Sequence, residues 1–187
     1  MGDGVPEAVR ALRRGGLVVY PTDTLLGLGA LATRRRSVER LVVAKGRSPD
    51  QPISICVSST EEMERYADLA PVARRFVRRT LPGPFTLLVV PSTLARRTLA
   101  PSVVGGRALG VRIPDHPIAR ELARQVGPLT ATSANRHGTP PPRTMAEARR
   151  SLGANVAVYL PNTPPGSGEP STLIDLTGAE PREIVRS

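Results

Sequence analysis

Short apolar runs alternate with amphipathic stretches along this chain, and the alternation predicts strands separated by helices. Residues 17–20, Leu-Val-Val-Tyr, form a β-branched run closed by Pro21 and read as a buried strand. Ahead of them, residues 6–14 read as a first helix, with a proline at an early position and Gly15-Gly16 as its stop. Val38, Leu41, Val42 and Lys45 fall at helical spacing, with Ser37 as the expected cap. Residues 53–57 read as a strand, and Ser59-Thr60-Glu61-Glu62 as a helix start.

The alternation continues to the end. Helices are expected over 71–80, 117–126 and 145–152, and strands over 86–90, 108–113 and 129–132. Three further strands are expected over 156–160, 172–176 and 183–186, with 161–171 as loop by its Pro, Gly and Ser content. This order predicts an α/β domain built on a twisted, mixed β-sheet with flanking helices, and 187 residues suit one domain spanning 1–187. In such sheets ligands bind beyond the strand ends, where loops gather.

Composition narrows the chemistry. With aromatics at 3% and no Trp, the core must be mostly Leu, Val, Ile and Ala, and stacking platforms for single-stranded nucleic acid are scarce. One cysteine, Cys56, excludes an intrachain disulfide framework, and with only His116 and His137 a zinc cluster lacks ligands. There is no signal-peptide core, and no run of eighteen apolar residues, so the expected setting is soluble and cytoplasmic, away from membranes. The formal net charge of +10 is uneven: the 46 residues between Asp68 and Asp115 hold eight arginines and no acid. Such a field attracts polyanions, although solvated arginines on a generally basic protein give the same composition.

Three stretches sit where loops should gather. Pro21-Thr22-Asp23-Thr24-Leu25-Leu26-Gly27-Leu28-Gly29 places hydroxyls and a carboxylate straight after a strand, without the glycine spacing of a Rossmann or Walker loop. Lys45-Gly46-Arg47 holds the single lysine of a chain with twenty-five arginines, a compact point charge two residues from a planar fork. Ser133 and Asn135, two apart, point the same way on an extended backbone. No G-x-S-x-G elbow surrounds Ser133, so a hydrogen-bonding role fits it better than a nucleophilic one. Arg112, inside an apolar strand, needs an anionic partner: a ligand carboxylate or a structural acid. Together these residues suit phosphate chemistry run by positioning and charge neutralisation.

PTDTLLGLG, AKGRSPDQPIS, LPGPFTLLV, GVRIPDHPIA, PLTATSANRHG and PSTLIDLTG, in that order, resemble the motifs of the YrdC-like threonylcarbamoyl-AMP synthases in their short single-domain form. The resemblance runs from about Gly15 to Arg186. It implies a basic concave cavity on the twisted sheet. It also implies a reaction joining L-threonine, bicarbonate and ATP into threonylcarbamoyl-adenylate and pyrophosphate, with Mg²⁺ brought in by ATP. A separate transferase would then carry the threonylcarbamoyl group to tRNA. By the same resemblance the catalytic set is Lys45, Arg47, Ser133 and Asn135. Those four, with Gln51, Pro141 and Arg186, would bind ATP, and Thr24, Cys56, Arg112, Ala131 and Ser171 would bind threonine. The chain departs from the family pattern at Leu26, where Tyr is usual, and near Cys56, where His is common. His137 replaces a loop serine. Two other readings stay open on sequence: a non-enzymatic protein binding tRNA or double-stranded RNA, and a carbamoyl-adenylate enzyme acting on another amine.

Overall fold

A computed structural model describes residues 4–161 and 166–185. Its helices are α1 (Val5–Arg13), α2 (Arg35–Lys45), α3 (Thr60–Tyr66), α4 (Pro71–Thr80), α5 (Thr93–Thr98), α6 (Pro101–Val104), α7 (Pro117–Val126) and α8 (Met145–Leu152). The strands are β1 (Val18–Tyr20), β2 (Gly27–Gly29), β3 (Ser54–Cys56), β4 (Ala67–Asp68), β5 (Phe85–Pro91), β6 (Leu109–Arg112), β7 (Leu129–Ser133), β8 (Val158–Tyr159), β9 (Thr172–Asp175) and β10 (Arg182–Ile184). They form one mixed sheet in the order β10-β9-β5-β6-β3-β7-β2-β1-β8, with β4 on the far end of β5. Parallel pairs (β1 with β8, β3 with β6, β5 with β9) are interleaved with antiparallel ones.

Strand periodicity divides the core in two. Val18, Tyr20, Cys56 and Leu129 pack with Val5, Val9 and Leu12 of α1 and Ile118, Ala119 and Leu122 of α7. Their neighbours Val19, Ile55, Leu87 and Val111 point the other way, into the larger cluster with Leu41 of α2, Val77 of α4 and Leu152 of α8. Both faces of the sheet are therefore covered, which is why its strands read as continuous apolar runs.

The helix ends follow their sequence signals in most places. Ser59 accepts from the Glu62 N–H, and Thr144 and Glu147 form a reciprocal capping box. Ser37 departs from expectation. The helix starts at Arg35, the Ser37 and Val38 N–H groups both donate to the Arg34 carbonyl, and Ser37 lies buried one turn inside. At the other end of α2, Gly46 takes φ +63°, the left-handed turn that ends the helix at Lys45 and sends the chain toward Arg47.

Candidate functional site

The site grows out of one face of the sheet. Pairing Tyr20 with Gly27, Gly27 with Ser133, Ser54 with Ala131 and Cys56 with Arg112 puts alternate residues of neighbouring strands on the Tyr20 face. Tyr20, Ser54, Thr86, Arg112, Ala131 and Ser133 come together there as the floor of a cavity of about 270 Å³. The turn after β1 supplies Thr22 and Thr24, the loop after α2 supplies Arg47, and the approach to β9 supplies Ser171. Thr24, Leu25 and Leu26 also border a second cavity of about 190 Å³, whose other side carries Arg143 and Ser167.

Arg112 is the buried cation of the floor, with 9% of its surface exposed. One Nη donates to Asp23 Oδ1 at 3.0 Å, so the structural acid anticipated for it exists. Asp23 Oδ2 and Arg112 Nε have no protein partner. The same is true of Arg47 Nε and Asn135 Oδ1. Among the described residues, four of the five buried side-chain polar atoms without a partner thus belong to residues at or beside this cavity. Such atoms are rare in folded proteins, and their gathering marks a place where polar groups await a ligand. Hydroxyls pair along its lining: Thr22 with Thr24 at 3.1 Å, Thr86 with Ser171 at 2.7 Å.

Lys45 and Arg47 take different stations. Arg47 lies on the cavity wall, one Nη donating to the Pro52 carbonyl at 3.2 Å, and its burial pulls its pKa down. Lys45 stands one layer behind, 4% exposed, its ammonium donating to the carbonyls of Ser133 at 2.5 Å and Asn135 at 2.7 Å. Its own carbonyl accepts from the His137 N–H at 2.7 Å. Burial, and secondarily the Arg47 charge, lower the Lys45 pKa to about 8. Asn135 donates from Nδ2 to the carbonyls of Arg136 at 3.1 Å and Thr139 at 2.5 Å, which closes the turn after β7.

Of the residues expected at the site, Thr24, Arg47, Arg112, Ala131, Ser133 and Ser171 share the cavity, and Lys45 and Asn135 back it. Cys56 shares the sheet face of Arg112, its partner in register, but is fully buried in the cluster with α7 and does not line the cavity; burial drives its thiol pKa up to about 12. Gln51 sits half-buried in the loop after Arg47, with its N–H on the Ser48 carbonyl, and Pro141 is exposed; neither lines the cavity. Arg186 lies outside the described residues. The sequence pattern alone did not single out Tyr20, Ser54 or Thr86, although each sits two residues from another residue of its own strand face.

The Sua5/YciO/YrdC model, described as "Telomere recombination", matches residues 10–187. The chain belongs to the Sua5/YciO/YrdC family. A relative from Mycobacterium tuberculosis (strain H37Rv) is 42% identical over 185 residues, covering 97% of this chain and 82% of its own. The threonylcarbamoyl-AMP synthase of Chromohalobacter salexigens is 35% identical over 180 residues, covering 95% of each. P. abyssi Sua5, solved in complex with L-threonine, matches with a TM-score of 0.84 and 32% identity over 96% of this chain. The chain spans 52% of that protein, about half its length. The twisted mixed sheet with flanking helices carries Thr22 and Thr24 of the PTDT stretch, Arg47 of KGR and Ser133 of TSAN to one cavity.

Proposed function

We infer that this chain is a threonylcarbamoyl-AMP synthase: it joins L-threonine, bicarbonate and ATP into threonylcarbamoyl-adenylate and releases pyrophosphate. The observation that carries the reading is the buried Arg112 guanidinium, opened toward a hydroxyl-lined cavity, in a chain whose relative was solved with L-threonine bound. An α-carboxylate meets a guanidinium through charge-assisted hydrogen bonds, and Asp23 holds that guanidinium in place.

With the carboxylate on Arg112, the amine of threonine faces the cavity. Amine and bicarbonate give the carbamate, with loss of one water and one proton from the ammonium form. A carbamate oxygen then attacks the α-phosphorus of ATP, and the bond to the bridging oxygen breaks to free pyrophosphate. ATP enters as its magnesium complex. Among the described residues no cluster of His, Cys, Asp or Glu stands ready to hold a metal, so the triphosphate would carry most of the ligation. Arg47 on the wall and Lys45 behind Ser133 supply positive charge where phosphate charge builds up, and Ser133 and Asn135 supply neutral hydrogen bonds. Arg47→Ala is expected to lower kcat/KM by about 10²–10³-fold, the usual cost of one such electrostatic contact.

The product is a mixed anhydride with AMP as leaving group, fit to be consumed by a separate transferase acting on tRNA. An enzyme feeding that chemistry belongs in the cytoplasm, and no described helix is long and apolar enough to cross a membrane. The test is pyrophosphate release from MgATP and bicarbonate, with and without L-threonine. Release that requires threonine supports the reading; release with equal rate on another amine, or none, contradicts it.

A further inference from the structure

One edge of the cavity floor has no role in the proposed reaction. It is made by β5, which runs antiparallel to β6 with Leu87 opposite Val111. One step further, Thr86 stands across from Arg112, and side chains directly opposite on neighbouring strands share a face at about 5 Å. Thr86 is 4% exposed, lines the cavity, and sits with its Oγ1 2.7 Å from Ser171 Oγ. Nothing about the strand requires a hydroxyl there. Valine has the same shape and equal or better strand preference, and the run Phe85-Thr86-Leu87-Leu88-Val89-Val90 is otherwise apolar.

A hydroxyl offers one donor and two acceptor positions. The bond to Ser171 takes one position on Thr86, so its oxygen keeps capacity for a further group in the cavity. On the other side of Arg112 the floor carries the methyl of Ala131 and the ring of Tyr20, together with the hydroxyls of Ser54 and Ser133. An amino acid whose carboxylate rests on Arg112 therefore has the Thr86–Ser171 hydroxyl pair on one flank of its β-carbon and, on the other, a surface that includes the Ala131 methyl and the Tyr20 ring. A β-carbon bearing one hydroxyl and one methyl suits both flanks at once.

We propose that Thr86 is a specificity-determining residue: its hydroxyl, paired with Ser171, receives the β-hydroxyl of the amino acid held by Arg112. The proposal rests on the reading of L-threonine as substrate. A site built around a substrate hydroxyl rejects the analogue lacking it, because its own polar groups are left unpaired.

The experiment compares pyrophosphate release with L-threonine and with L-2-aminobutyrate, which lacks only the hydroxyl, in the wild type, Thr86→Val and Thr86→Ser. Binding of both amino acids is measured alongside by calorimetry. The wild type is expected to prefer threonine by on the order of 10²-fold or more in kcat/KM. Thr86→Val is expected to lower that ratio at least tenfold by losing threonine alone, with 2-aminobutyrate and the KM for ATP unchanged. Thr86→Ser keeps the hydroxyl and is expected to keep the ratio. A mere packing role would lower both amino acids together, so an unchanged ratio in Thr86→Val overturns the proposal. Equal loss of the ratio in Thr86→Ser overturns it as well. If the wild type itself shows no threonine-dependent release, the substrate reading fails and takes the proposal with it. An active wild type with an indifferent Thr86→Val removes the proposal alone.

Discussion

The ammonium of Lys45 has three N–H bonds, and two of them are committed to the Ser133 and Asn135 carbonyls. A compact ammonium with rotatable donors fits this buried position between two carbonyls, whereas a guanidinium is larger and holds its donors in one plane, which gives the single lysine of an arginine-rich chain a steric reason. Its pKa, lowered to about 8 by burial and by Arg47, makes a signed prediction. The ammonium is charged below about pH 8 and loses its charge as pH rises through that value. The kcat/KM for ATP, which reports the free enzyme, is expected to fall on that limb, and the limb should vanish in Lys45→Met. Asp23 acts through Arg112 rather than on substrate. Asp23→Asn is expected to raise the KM for threonine about tenfold or more while leaving that for ATP unchanged, a split read directly from initial rates. At this scale much was legible: the need of Arg112 for an acid could be read from an arginine inside an apolar strand. That the acid is Asp23, 89 residues away in sequence, is set by the fold alone.

Strand register decides what the elements contribute. Gly110 lies beside Ser54 on the neighbouring strand, and a Cβ there would stand 2.2 Å from the Ser54 Oγ and 2.9 Å from its Cβ. The hydroxyl could rotate away, but the Cβ cannot. Gly110→Ala is therefore expected to force β3 and β6 apart and cost about 1–3 kcal/mol, seen as a lower urea midpoint at unchanged m. Helices with strong periodic faces and end signals were legible to the residue: α4, α7 and α8 match their expected bounds. β2 was not, because Gly27-Leu28-Gly29 has the composition of a loop. It is a strand because the Tyr20 ring fills the space over both glycines, where a Cβ would come within 2.8 Å of the ring at Gly27 and 2.9 Å at Gly29. The short helices α5 and α6 also escaped the pattern. One and a half turns carry too little periodicity to be read, and α5 is marked only by its Ser92 cap.

For the whole molecule, the two-sided core explains why a chain with few aromatics holds a large twisted sheet: helices on both faces bury Leu, Val, Ile and Ala from alternate strand positions. The cavity opens on one face of that sheet, and the chain of strands from β5 to β1 brings five separate sequence stretches to its floor. The positive surface belongs to this scale too. Arg75, Arg78 and Arg79 of α4 are exposed, as are Arg96 and Arg97 of α5, and the formal charge is +10. We propose that this surface is where RNA would be held, in which case affinity for tRNA would weaken steeply with salt, log affinity falling linearly with log salt. Charge reversal at Arg75 and Arg79 should flatten that slope while threonine-dependent turnover stays unchanged. The central claim concerns the covalent product, and it is tested most directly by mass spectrometry of a reaction holding MgATP, L-threonine and ¹³C-bicarbonate. The expected result is an AMP conjugate containing threonine and one ¹³C, formed one-for-one with pyrophosphate. A threonine–AMP conjugate without the labelled carbon, or ADP and phosphate in its place, would contradict the account.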